Sequence, residues 1–180
     1  GIRLINASNN TVKYNTIYDI GEVKDEKRTG IGIFLEVSTN NTLTGNEVYN
    51  SGEGLFLFES AYNNVTGDSY HDNYFMGVDL NDSSRNGLDG LSVKDNGSWG
   101  IYLMFAGENV VENCEVSGND MGGIELAASS LNQVLNNYVH DNGTTTKDNI
   151  QVVVADGDKV LFTAPDVFNP EKPIGEIAKI

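Results

Sequence analysis

The feature that most constrains this chain is an internal repeat of about 23 residues. Glycines at positions 1, 32, 54, 77, 100 and 123, then Asn149, mark segment starts spaced by 31, 22, 23, 23, 23 and 26 residues. Three equal consecutive intervals point to an array of stacked supersecondary units rather than to a core built from distant segments.

Laid under one another, the segments align in columns. One residue past each start stand Ile2, Ile33, Leu55, Val78, Ile101, Ile124 and Ile150. Three past stand Leu4, Leu35, Leu57, Leu80, Leu103, Leu126 and Val152. Six past are small residues: Ala7, Ser38, Ser60, Ser83, Ala106, Ser129 and Ala155. Nine past, six segments carry Asn10, Asn41, Asn63, Asn86, Asn109 and Asn132. Further apolar columns run through Val12, Leu43, Val65, Leu88, Val111, Val134 and Val160, and through Ile17, Val48, Tyr70, Val93, Val116 and Val139.

Apolar residues two apart point the same way from a strand, so the first two columns face one interior. A segment this short cannot bury that face alone. Identical segments must stack, about 4.8 Å apart, so that like residues lie over like. An Asn recurring at a turn then bonds to the Asn above and below it and satisfies buried backbone groups that Leu could not. A leucine-rich repeat is excluded because Leu positions are too few and no helical segment follows each strand. The expectation is an all-β, single-stranded right-handed parallel β-helix solenoid of about seven rungs over residues 1–163. A charged loop insertion is expected at about 21–30 and an irregular C-terminal tail or cap at 164–180. A second short insertion is expected over 143–147.

Charge narrows the partners. Acidic residues number 26 against 11 basic, a net charge of −15. Such a surface repels phosphate backbones and anionic lipid, which argues against nucleic acid and against a membrane surface. No run of 18 apolar residues is present, so no membrane insertion by a helix is expected. The one cysteine, Cys114, falls in an inward column with Asn15, Asn46 and Asn137, where it reads as a small core residue. The opening Gly1-Ile2 carries no capping helix, so a longer parent chain is expected, with further coils and other domains as partners.

The pattern Gly123-Ile124-x-Leu126, continued by Ser129, Asn132, Val134 and Asn137, resembles the parallel β-helix repeat of carbohydrate-active proteins. That superfamily includes pectate lyases, polygalacturonases, alginate C5-epimerases, NosD-like periplasmic proteins and disaggregatase-related surface proteins. The resemblance covers about residues 1–163 and implies an extracellular or cell-surface setting with a polysaccharide as partner. The sharper catalytic motifs of these families are missing: there is no Gly-His-Gly with paired Asp and no Asp-Pro-His. A copper role of the NosD kind is not supported by two His and three Met.

Function is therefore expected on outward ladders. On the first strand these hold Arg3, Phe34, Phe56, Asp79, Tyr102 and Glu125, and beside them Ile5, Glu36, Phe58, Asn81, Met104 and Ala127. Phe34, Phe56, Phe58 and Tyr102 beside Glu36 and Glu125 are the candidate substrate-binding residues: sugar C–H faces stack on aromatic rings while carboxylates bond hydroxyls. Covering by another segment explains such an apolar strip equally well. Asp79 with Glu36 or Glu125 has the residue types of a glycoside hydrolase. A second ladder, Tyr18, Tyr49, His71, Lys94, Ser117 and His140, brings Tyr49, His71 and Lys94 onto successive rungs. There His71 and Tyr49 would serve as acid and base of a lyase or epimerase, with Lys94 near the carboxylate; unrelated surface side chains are the simpler account. Asp19, Asn50, Asp72, Asp95 and Asp141 form a turn column. It is ordinary turn chemistry, and Ca²⁺ is the one cofactor it would suit. Two functional classes remain open: a domain binding or cleaving a polysaccharide, and a non-catalytic surface or spacer module.

Overall fold

A computed structural model describes residues 1–24 and 27–143, together with the strands Val152–Val154, Leu161–Thr163 and Ala178–Lys179. The chain winds as a parallel β-helix. Each coil contributes one strand to each of three parallel sheets, as in Ile31–Glu36, Thr42–Thr44 and Glu47–Tyr49. Six coils are complete, and the seventh supplies Val152–Val154 to the first sheet and Leu161–Thr163 to the second. No helix among the described residues is long and apolar enough to cross a membrane.

The columns read from sequence are the observed registers. Ile2 pairs with Ile33, Leu55 with Val78, Val78 with Ile101 and Ile101 with Ile124. Leu35, Leu57, Leu80, Leu103 and Leu126 are wholly inaccessible, and each such side chain contributes about 1.5–3 kcal/mol of burial. The exception is the last interval. Ile124 pairs with Val152 and Val134 with Phe162, not with Ile150 and Val160. The seventh strand thus sits two residues later than the column alignment places it. A two-residue slip keeps the same face inward, so alternation alone cannot detect it.

The Asn column is a hydrogen-bonded ladder. Asn63 Oδ1 accepts from the backbone N and the Nδ2 of Asn41, at 2.9 and 3.0 Å, and Asn86 does the same for Asn63. The series runs from Asn10 to Asn132. The small column adds a serine ladder, in which Ser60 Oγ accepts from the N–H of Ser38. A further ladder, Ser51, Asn73, Asn96, Asn119 and Asn142, closes the corner after the third strand. Cys114 is buried, with its thiol pushed up to about 12 by burial.

Corners turn on single residues in the left-handed region. In the second coil these are Val37 (φ 49°), Asn40 (55°), Gly45 (62°) and Asn50 (51°). Asn and Gly tolerate this conformation, whereas a β-branched Val is strained in it. The starting glycines answer a different need. A Cβ on Gly77 would lie 2.4 Å from Val93 Cγ1, 2.7 Å from Asn96 Nδ2 and 2.9 Å from the Gly100 carbonyl oxygen. Two neighbouring positions, Gly54 and Leu55, are both buried, so strict alternation breaks at the entry to the first strand.

The insertion is a small antiparallel hairpin, Val23–Lys24 against Lys27–Arg28. Arg28 folds it back, donating to the carbonyls of Asp19 and Gly21 and pairing with the Asp19 carboxylate at 3.1 Å. Of the tail expected over 164–180, only Ala178–Lys179 is described, pairing with Val153–Val154 of the first sheet. The insertion expected at 143–147 lies, past Gly143, outside the described residues.

Candidate functional site

The outward face of the first sheet gathers the substrate-binding candidates together with Asp79. Register places Arg3, Phe34, Phe56, Asp79, Tyr102 and Glu125 in one column, and Ile5, Glu36, Phe58, Asn81, Met104 and Ala127 in the next but one. Phe34 and Phe56 stack at 5.1 Å with planes 6° apart, and Phe58 leans on Phe56 at 6.2 Å. The four rings Phe34, Phe56, Phe58 and Tyr102 are half-buried; the three Phe rings cover parts of one another, and Tyr102 stands beyond Asp79. At one end Arg3 lies over the Phe34 ring at 5.1 Å and pairs with Glu36 at 2.5 Å. Glu36 is therefore committed to a cation and stands apart from Asp79.

Asp79 lies between Phe56 and Tyr102 on the ladder and is 5% exposed. Burial and the neighbouring charge of Glu53 push its carboxyl up to about 7. Glu53 is raised too, by burial. Asp79 Oδ1 and Glu53 Oε2 are both enclosed and accept no hydrogen bond among the described residues. An enclosed carboxylate oxygen without a donor is costly. Further along, burial raises Glu125, and Tyr102 is raised by burial and then by the charges of Glu125 and Asp79. Glu53, Asp79, Tyr102 and Glu125 thus form one electrostatic group on this face.

Glu53 escaped the sequence analysis because it precedes the starting glycine. The Cβ position of Gly54 points inward, 2.9 Å from Tyr70 Cδ1. With Gly54 and Leu55 both inward, Glu53 and Phe56 share the outer face. Glu53 pairs with Ile31 and, further along the face, Trp99 pairs with Gly122. A Cβ on Gly122 would meet the Trp99 ring at 2.0 Å, so that indole lies flat on the glycine of the next coil. The signal was available: the residue before the column glycine is Glu53, Met76, Trp99 or Gly122, a column that strict alternation assigns inward.

The second ladder forms on a different sheet. Tyr18, Tyr49 and His71 stack at 5.2 Å intervals on the outer face of the third sheet. His71 Nδ1 lies 2.7 Å from Asp72 and Nε2 lies 3.4 Å from Glu47. Lys94 pairs with Glu115 at 2.8 Å, and the same glutamate stands 3.7 Å from His140. Tyr49, His71 and Lys94 are brought together as adjacent rungs, but Asp79 belongs to the first sheet and does not join them.

The turn carboxylates next to that ladder border a shallow groove of about 340 Å³, lined by Asn50, Asp72, Asn73, Tyr74, Asp95, Gly97 and Asp120. Within the turn column, Asp19 takes Arg28 and Asn50, and Asp72 takes His71. Among the described residues no three His, Cys, Asp or Glu side chains converge to hold a metal ion.

Comparison with known proteins bears on the fold. The family described as "Right handed beta helix region" matches residues 1–69 and 32–174. No curated protein sequence matches the chain. A crystal structure of a double mutant of the periplasmic alginate epimerase AlgG superposes with a TM-score of 0.73 at 16% identity, covering 88% of this chain and 43% of that one. The enzymatically active domain of Bacteriophage CBA120 tailspike protein 2 gives 0.61 at 13% identity, over 89% of this chain and 34% of that one. Pectate lyase Pel9A gives 0.57 at 13% identity, over 83% and 50%. The chain spans half or less of each of these structures. At such identities the likeness is one of fold.

Proposed function

Because the chain belongs to the right-handed β-helix family, we propose that it is a carbohydrate-active domain, periplasmic or extracellular, that binds a polysaccharide along the outward face of its first sheet. The observation that carries this reading is the continuous ladder of half-buried rings, Phe34, Phe56 and Tyr102, interrupted only by the enclosed acid Asp79. Coil spacing of about 4.8 Å repeats these groups along the axis, as an extended glycan repeats its sugars. Rings supply stacking surface for sugar C–H faces, and carboxyl groups supply hydrogen-bond partners for hydroxyls. The named structural neighbours, an alginate epimerase and a pectate lyase, carry polysaccharides in their names, which supports a polysaccharide ligand here.

Lyase or epimerase chemistry at His71, Tyr49 and Lys94 receives less support. A substrate uronate needs a free cation, and Lys94 is already neutralised by Glu115. Affinity electrophoresis against a panel of neutral, amino-bearing and uronate polysaccharides tests the proposal. Retardation by at least one glycan is expected, weakened about tenfold in Phe56→Ala, since an aromatic anchor carries a large share of such binding. Retardation unchanged in both Phe56→Ala and Tyr102→Ala, or none at all, would assign the chain to the spacer reading.

A further inference from the structure

From the same face, and resting on the glycan reading above, we infer that the ligand is a glycan bearing free amino groups, with one ammonium held against the Asp79–Glu53 acid pair. Two enclosed carboxylate oxygens, Asp79 Oδ1 and Glu53 Oε2, lack donors, and Asp79 is 5% exposed. Glu53 is the charge that acts on Asp79, and Tyr102 lies between the charges of Asp79 and Glu125; all four are acids. The one cation on the described outward columns of this sheet, Arg3, lies three coils away and is held by Glu36. A uronate carboxylate brought to this place would meet like charge on every side and no compensating cation. A neutral sugar could donate hydroxyls but would leave the charge of the pair unbalanced. An ammonium group offers three donors and a positive charge at once.

The long-range field points the same way. A net charge of −15 concentrates cationic polymers and repels anionic ones. The rings on either side, Phe56 and Tyr102, would flank the ammonium, and aromatic faces attract cations as well as sugar C–H bonds. They also distinguish a glycan from a lysine-rich peptide, which has no apolar ring face to lay along the strip.

Seating an ammonium there stabilises the ionised pair. The proton held by Asp79 near neutral pH must then leave on binding. Isothermal titration at about pH 5.5, where the sugar amines are already protonated and Asp79 still holds its proton, of the whole chain with a fully deacetylated glucosamine hexasaccharide, in buffers of different ionisation enthalpy, reads that proton directly. The expected result is binding with proton release, at least about tenfold tighter than for the fully N-acetylated hexasaccharide. Asp79→Asn should abolish the proton release, and Asp79→Asn and Glu53→Gln should each remove the preference for the free amine. Glu112→Gln, on the second sheet and changing net charge equally, should leave both intact. Equal binding of the two hexasaccharides with dependence on Phe56 would overturn the amine assignment and leave the glycan reading standing. Tighter binding of a uronate hexasaccharide, equal loss with Glu112→Gln, or equal affinity for oligolysine would each overturn the assignment as well. No binding of any sugar would overturn both.

Discussion

Asp79 is a destabilising residue, and the size of its cost can be worked from its surroundings. Its carboxyl ionises near 3.8 when exposed and at about 7 in the fold, because burial and the Glu53 charge disfavour the anion. Between those values the native chain holds a proton that the unfolded chain has released. Stability therefore falls as pH rises, at about 1.36 kcal/mol per pH unit, and levels off above about pH 7. The accumulated penalty is about 4 kcal/mol, fully present at pH 8 and absent below about pH 4. Asp79→Asn removes the charge while keeping the shape, at the cost of an enclosed amide worth about 1–2 kcal/mol. The expected net gain is about 2–3 kcal/mol at pH 8, which raises the melting temperature by about 5–10 °C for a chain of this size. At pH 4, where the charge penalty is absent, the variant should be the less stable protein, by the amide's about 1–2 kcal/mol. Urea unfolding followed by circular dichroism from pH 4 to 8 measures both curves. Glu53, Asp68 and Glu125 are raised in the same direction, so the parent slope alone is not diagnostic; the difference between the two proteins is. Parallel pH profiles, or a variant less stable than the parent at pH 8, would refute the reasoning.

Three other substitutions test the architecture. Asn86→Ala removes the acceptor for both Asn63 donors and the donor to Asn109 and the Ser60 carbonyl; a loss of about 3–5 kcal/mol in urea unfolding is expected, since several buried groups are left bare at about 1–3 kcal/mol each. Gly77→Ala forces a methyl group to within 2.4 Å of Val93 and 2.9 Å of the Gly100 carbonyl oxygen, so soluble yield should drop and the melting temperature should fall by more than about 5 °C. Val37→Gly should raise stability by about 1 kcal/mol, because the φ of 49° strains a β-branched residue and not glycine; an unchanged or lower unfolding midpoint would show that Val37 contributes packing that outweighs the strain.

The coil was legible because its signals are one-dimensional. An inward Leu every 23 residues and an Asn at each turn survive any detail of packing, and they fixed five successive registers. What stayed hidden depended on a break in that simplicity. Glu53 and Trp99 face outward because two neighbouring residues at the start of the strand both turn in, a step that a pattern of period two does not carry and that only the mixed column Glu53, Met76, Trp99 and Gly122 betrays. The separation of Asp79 from the His71 ladder was readable, since the two belong to different columns. That Lys94 and Glu36 are neutralised was not: their partners, Glu115 and Arg3, are one rung away, and only side-chain reach decides whether they meet.

The misplaced seventh strand shows what sets register in this fold. Apolar columns accept a slip of two residues, because Val and Ile fill an inward position equally well and the alternating face is preserved. An Asn ladder does not accept it. Each Asn bonds to one Asn in the coil before and one in the coil after, within 3.0–3.1 Å, and a slip would set an amide against an apolar side chain. From the first coil to the sixth the ladder is unbroken, and there the column alignment and the structure agree. The stretch of the seventh segment in which the ladder would continue lies outside the described residues. In that interval the column alignment rested on apolar and small residues alone. Polar groups inside this solenoid therefore supply the pairing specificity that the hydrophobic ladders lack, and the apolar columns supply most of the stabilisation.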